Sequence, residues 1–407
     1  MRKMLLSAAG LFLLLPFYSH AQCDNNQAIS AVQVDSDIKY GENINVDGDD
    51  QELFLDLYSP VGAGAGEKPL VILAHGGSFI GGSKDGDDVV PLANDLALAG
   101  YTVASIQYRL GVEGFPLAID SSTASEAVIR GVHDMKAAIR FFRKSAQEGN
   151  PYNIDPDYVY AAGVSAGAFV ALHLAYLDTE EEIPEYIDQT KPGLGGGLEG
   201  ESGNPGFSSE VSAVVNIAGA LRDKNWMTAG DEPLISFHGT EDGTVPYGSD
   251  MLVFLGFLEI FEVDGSKSIH DHAVEVGVPS CMETQYGQDH IPHVESEAYY
   301  DTLKVMTVNF LKGQYCDDEM VCQYGNPDGF SDLQAASDLF FFPNPSDGVI
   351  EFSRPISEVK IYNMMGVVVY EKKQNGFSAV HVPHLSQGVY LVQVPGENLT
   401  KKLMIRH

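Results

Sequence analysis

The stretch YAAGVSAGAFVAL, Tyr160 to Leu172, decides how this chain is read. An apolar run ends in Gly163-Val164-Ser165-Ala166-Gly167 and passes straight into a helix-forming segment, which puts Ser165 at a strand-to-helix corner. The two glycines have a physical reason. A side chain at Gly163 or Gly167 would strike the neighbouring strand or helix, and the strained turn between them pushes the serine hydroxyl out at the carboxyl edge of a sheet. The same five residues also suit a plain glycine-rich turn, so the reading depends on the rest of the chain supplying a base, an acid and an anion-binding loop.

Outward from that corner, strands and helices alternate. Pro69 to Ala74 is an apolar run of buried-strand length and ends in His75-Gly76-Gly77-Ser78-Phe79. A helix is expected from Val89 to Ala99, a strand from Thr102 to Tyr108, and a long helix between Ser121 and Ala146. On the last, Val128, Val132, Met135, Ile139 and Phe142 share one face. Further strands are expected at Val211–Ile217 and Leu234–His238, with helices at Gly265–Gly277 and Ser296–Leu311. Residues 38–60 read as two strands around a turn at Asp47-Gly48, whose acidic cluster is a solvated tip because it lacks an EF-hand's glycine and distal glutamate. This rhythm predicts an α/β fold with a mostly parallel sheet covered on both faces.

Two stretches break the rhythm. Residues 178–209 are acidic and then glycine-rich without a period, and are a candidate lid or a surface excursion; residues 313–337 read as a linker. From residue 338 to 407 short strands follow one another (Val349–Phe352, Val359–Tyr362, Val367–Glu371, Ala379–Val382, Val389–Val394, Lys401–Ile405), which predicts a small all-β sandwich.

A formal net charge of −33 over 407 residues argues against a nucleic-acid partner and suits a salty or extracellular setting. Residues 1–21 carry Arg2 and Lys3, an apolar run from Met4 to Phe17 and a small-residue end, the pattern of a secretory signal peptide; no membrane span is expected. The catalytic unit would then occupy residues 22–312. Four cysteines remain, and an exported chain permits disulfides. The short loop between Cys316 and Cys322 favours that pair and leaves Cys23 with Cys281. No metal site is expected from them.

A serine needs a base to take its proton and donors for the oxyanion that follows. His290, in YGQDHIPH beyond a last strand, is the expected base, with His293 as its rival. Asp242, in the loop HGTEDGTVPY, is the expected acid, with Glu241 and Asp250 as competitors. The N–H groups of Gly77 or Ser78, together with that of Ala166, are the expected oxyanion donors. His75 and His238 are read as structural, and Arg109 as a salt-bridging arginine.

HGGSF, NDLALAGYTVASIQYRLG, GVSAGA and HGTEDGTVPY together resemble the α/β-hydrolase superfamily over residues 38–312. The nearest likeness is to the secreted carboxylesterase and feruloyl or acetyl-xylan esterase-like branch. Ser78 departs from the lipase-like HGGG loop, and Ala166 departs from the bulkier residue of polyester hydrolases. The segments FFPNPSDGVIEF, VKIYNMMGVVVYE and LSQGVYLVQV, with a basic end, resemble the type IX secretion sorting domain of Bacteroidetes-type bacteria. These resemblances imply a secreted serine esterase with no metal or organic cofactor. An ester substrate and the type IX machinery would be its partners, and acylated plant polysaccharide a substrate class. A serine peptidase on the same fold, or a non-catalytic surface binding protein, are the alternatives.

Overall fold

The computed structural model describes residues 23, 29–62, 64, 66–116, 118–254, 258–316, 320, 322, 341, 342, 346, 348–363, 367–395 and 399–405. The signal peptide expected at residues 1–21 and most of the linker expected at 313–337 lie outside them. The chain divides into two compact units, Met1–Gly325 and Asn326–His407.

In the first unit β1 (Ala31–Ile44) and β2 (Asp50–Val61) form the expected hairpin. They are followed by β3 (Lys68–Ala74), α1 (Val90–Leu98), β4 (Thr102–Ile106), α2 (Ser121–Gln147), β5 (Ile154–Val164) and α3 (Ala166–Tyr176). Next come β6 (Ala213–Ile217), β7 (Ala220–Leu221), β8 (Leu234–Gly239), β9 (Ser249–Phe254), β10 (Leu258–Gly265), α4 (Ser266–Val276), β11 (Ser280–Gln285) and α5 (Glu297–Tyr315). Eight strands make one sheet in the order β1-β2-β4-β3-β5-β6-β8-β11, antiparallel at the β1-β2-β4 edge and parallel from β4 onward. Alternation along β3 builds two cores. Leu70, Ile72 and Ala74 pack on the side of α2 and α3, while Val71 and Leu73 pack on the side of α1 and α5.

β7, β10 and β9 form a separate small antiparallel sheet. The strands β9 and β10 are not among the elements expected from the sequence. The segment 178–209 is almost without regular structure, yet it is fastened to α2 by charge. Arg140 and Lys136 pair with Glu199 at 2.7 and 3.1 Å, and Arg109 Nη1 donates to the Gly193 carbonyl at 2.9 Å.

Arg109 is more than a surface ion pair. Its guanidinium lies 2.8 Å from the Asp134 carboxylate, both side chains being fully buried, and the same carboxylate accepts from the Arg109 backbone N–H and the Ser202 hydroxyl. One buried pair therefore joins the end of β4, the middle of α2 and the segment 178–209.

The cysteines pair differently from the short-loop expectation: Cys23 with Cys316 and Cys281 with Cys322, at Cα separations of 5.7 and 5.1 Å. Loop-closure entropy ranks pairs in an unfolded chain, whereas the folded backbone decides which sulfurs meet. Cys316 caps α5 and Cys281 is buried in β11, and each faces a segment distant in sequence.

The second unit contains β12 (Phe341–Phe342), β13 (Val349–Asn363), β14 (Val368–His381), β15 (Gly388–Val394) and β16 (Leu399–Ile405). They pair antiparallel in the order β12-β13-β15-β16, with β14 on β13. The first two strands expected from the sequence are one continuous β13, and the next two are one continuous β14. Irregularities of register between Glu351 and Ile356 and between Ile356 and Glu358 interrupt the apolar period without ending the strands. Ile350, Val359, Ile361, Val392 and Leu403 fill the core of this unit. Among the described residues, no helix is long and apolar enough to cross a membrane.

The buried pair supplies a prediction. Asp134→Ala leaves the Arg109 guanidinium buried without its partner and is expected to lower stability by about 3–5 kcal/mol. Urea unfolding of variant and wild type measures it; a loss below about 1 kcal/mol would mean the pair behaves like a surface one.

Candidate active site

Four loops leave the carboxyl ends of parallel strands on the same edge of the sheet. β5 delivers Ser165, β3 delivers Gly76 to Phe79, β8 delivers Asp242 and β11 delivers His290. Parallel pairing makes this convergence unavoidable, because every strand end of one polarity faces the same way.

Ser165 has φ 53° and ψ −117°, a conformation a non-glycine residue seldom adopts. Its N–H donates to the Ile217 carbonyl at 2.8 Å, and its own carbonyl accepts from the N–H groups of Ala168 and Phe169. Both ends of the corner are thus pinned. A Cβ on Gly163 would collide with the Gly167 carbonyl, and one on Gly167 with the carbonyls of Ala74 and His75. These are the close approaches inferred from the sequence.

His290 Nε2 lies 2.8 Å from Ser165 Oγ, and His290 Nδ1 lies 2.6 Å from Asp242 Oδ2. The carboxylate side chain is buried and well supplied with donors. Its Oδ1 accepts from the N–H groups of Thr244 and Val245, both at 2.8 Å, and His238 Nε2 stands 3.2 Å from Oδ2. Burial alone would raise the carboxyl; the bonds from His238 and His290 overcome it and hold Asp242 well below the usual carboxylate range. The competitors are elsewhere, since Glu241 and Asp250 are exposed.

His238, expected to be structural, is also the second imidazole facing Asp242. Ser266 Oγ lies 2.7 Å from its Nδ1, and the Val245 carbonyl lies 3.1 Å from its Nε2, so donation from Nε2 satisfies both acceptors there. Asp289 stitches the two loops together, accepting from the N–H groups of Gly243 at 3.0 Å and His290 at 2.8 Å. No sequence pattern marked that role.

His75 is a brace: it stacks on Tyr108 with centroids 4.5 Å apart and its Nδ1 reaches the Gly76 carbonyl at 2.6 Å. Beyond it Gly77, Ser78 and Phe79 have φ of 114°, 54° and 60°, three successive left-handed residues that turn the loop beneath Ser165. Asp88 fixes its start by accepting from the Gly76 N–H at 2.7 Å. Among the described residues none accepts from the N–H of Gly77, Ser78 or Ala166, which leaves these three expected donors available.

An apolar pocket opens beside Ser165, lined by Phe79, Val128, Phe169, Leu252, Phe254 and Phe261 among others. Its outer wall is the β9–β10 hairpin. No residue of 178–209 lines this pocket; Pro184 and Ile187 line a second, inner cavity with His173 and Trp226. Among the described residues no group of three or more His, Cys, Asp or Glu is placed to hold a metal ion.

A parallel sheet covered on both faces, with a strained serine at a strand-to-helix corner, defines an α/β-hydrolase domain. Residues 55–222 match the BD-FAE family and residues 340–406 match the secretion system C-terminal sorting domain, so the chain joins a BD-FAE domain to a sorting domain. The sorting domain marks the chain for type IX export to the cell surface or extracellular space. Carboxylesterase 3B of Mus musculus is 36% identical over 125 residues, covering 30% of this chain and 20% of its own length. Fumonisin B1 esterase of Sphingopyxis macrogoltabida is 32% identical over 172 residues, covering 40% of this chain and 30% of its own length. The chain thus spans less than a third of either relative. Among solved structures, a truncated carbohydrate esterase from gut microbiota aligns with a TM-score of 0.49 at 18% identity, covering 72% of this chain and 98% of that one.

His293, the rival base, is buried, and among the described residues its ring makes no hydrogen bond to Ser165 or Asp242. Burial, reinforced by the neighbouring His290, pulls it down to about 4. The folded state therefore keeps it neutral while the unfolded chain takes up a proton below about pH 6.5, so this contribution to stability is lost as pH falls from 6.5 toward 4. Between pH 7 and pH 5 the wild type should lose about 2 kcal/mol more than His293→Leu. Urea midpoints at both pH values test this, and equal losses would contradict it.

Proposed function

We propose that the first unit is a serine carboxylic-ester hydrolase. The observation that carries this is the unbroken hydrogen-bond chain from Ser165 Oγ through His290 to the buried Asp242. As His290 Nε2 takes the hydroxyl proton, Ser165 Oγ attacks the ester carbonyl carbon, and the carbonyl oxygen becomes an oxyanion facing the N–H groups of Gly77, Ser78 and Ala166. Asp242 holds the imidazole in the right tautomer and balances the charge it gains. Collapse of the tetrahedral species breaks the bond to the alcohol oxygen, which leaves with the proton from His290. A water molecule, deprotonated by the same nitrogen, then attacks the acyl-enzyme; the acid departs and Ser165 regains its proton.

The alcohol half must lie on the side of His290 to receive that proton. The His290 side chain is part-exposed, which leaves room there for a bulky alcohol such as a sugar of an extracellular polysaccharide. Export by the sorting domain and the esterase names of both relatives support the same reading. Acyl esters on plant polysaccharide are accordingly the proposed natural substrates.

The test is hydrolysis of p-nitrophenyl acetate and butanoate, and acid release from acetylated xylan, by wild type and Ser165→Ala. The variant is expected to lose activity by about 10⁴-fold or more. Undiminished turnover in a folded variant would remove Ser165 from the chemistry.

A further inference from the structure

Phe169 and His173 follow Ser165 at the fourth and eighth positions, so the three side chains succeed one another along one face of α3. Two cavities lie along that face. The outer one is the pocket beside Ser165; the inner one is lined by His173, Leu177, Ile187 and Trp226. Val128, Phe169 and Phe261 line both, and a single layer of apolar side chains therefore separates them.

That layer is held from behind. The His173 ring stacks on Phe169 with centroids 6.2 Å apart and is met edge-on by Trp226 at 5.5 Å. The Arg222 guanidinium sits 5.4 Å from the Phe261 ring centre, and its Nη1 donates to the Glu262 carbonyl at 2.9 Å. On the other side of Phe261 the Ile260 carbonyl accepts from Ser121 Oγ at 2.8 Å.

We infer, on the ester-hydrolase reading above, that the outer cavity receives the acyl chain and that Val128, Phe169 and Phe261 form the stop that sets its length. Proton delivery argues for the acyl half. The leaving alcohol must face His290, and His290 is not among the residues lining this cavity, whereas Ser165, Ser78 and Ala166 are. Among the described residues no charged side chain lines it, so a neutral apolar chain is what it accommodates without stranding a polar group. Its reach follows from the helix: Phe169 lies one turn beyond Ser165, about 6 Å along the axis, the span of a butanoyl to hexanoyl chain. A longer chain meets the stop; opening the stop adds the inner cavity.

The experiment is kcat/KM for p-nitrophenyl esters from acetate to dodecanoate, with wild type, Phe261→Ala, Phe169→Ala and Phe261→Trp. Wild type is expected to peak at butanoate to hexanoate and fall by on the order of tenfold or more by decanoate. The decanoate-to-butanoate ratio should rise by about tenfold or more in either alanine variant and fall in Phe261→Trp; a ratio cancels any general loss of activity. A wild type equally active on dodecanoate and butanoate would overturn the inference even if no variant folds. So would an unchanged ratio in the variants, or a length dependence that appears only when the alcohol of an acetate ester is lengthened. Absence of turnover on every ester would instead defeat the esterase reading itself, and this inference with it.

Discussion

The backbone of Ser165 is the constraint on which the site depends. A serine at φ 53° is held there because β5 ends in hydrogen bonds to its neighbours and α3 begins at the next residue, with Gly163 and Gly167 allowing strand and helix to close to contact. Strain of this kind costs on the order of 1–3 kcal/mol, and two apolar cores on either face of the sheet sustain it. Its result is a hydroxyl presented at the strand edge, where His290 reaches it.

Those loops are rigid for electrostatic reasons as much as steric ones. Asp242 is fixed by two backbone N–H groups and faced by two imidazoles, so the carboxylate stays charged despite its burial. Asp289 and Asp88 play parallel parts without touching Ser165: one ties the base loop to the acid loop, the other anchors the glycine loop at Gly76. Polar side chains thus replace regular secondary structure where backbone groups would otherwise lack partners.

Much of this was legible because it follows short-range rules. The alternation of strands and helices, the elbow glycines, the glycine loop and the order Ser165, Asp242, His290 all lie in contiguous patterns, and the structure brings those three side chains together. What was not legible depends on distant segments. The apolar run from Met251 to Val263, broken by Gly256, carries a hairpin signal that is weaker than that of the adjoining loop HGTEDGTVPY. The cysteine partners could not be ranked by spacing, since α5 and β11 decide where Cys316 and Cys281 stand. Residues 178–209 have no period because they are held at separate points, by buried Arg109 and Arg140 and by Ile183, Ile187 and Leu194 in the core, and not along one continuous stripe.

The central claim is that Ser165 is a nucleophile made reactive by this surrounding geometry. The most direct measurement is to treat the folded protein with a fluorophosphonate and map the adduct by peptide mass spectrometry. The account predicts one adduct per chain, on Ser165, lost in His290→Ala. A folded protein that remains unlabelled, or one labelled on a different serine while Ser165 stays free, would contradict it.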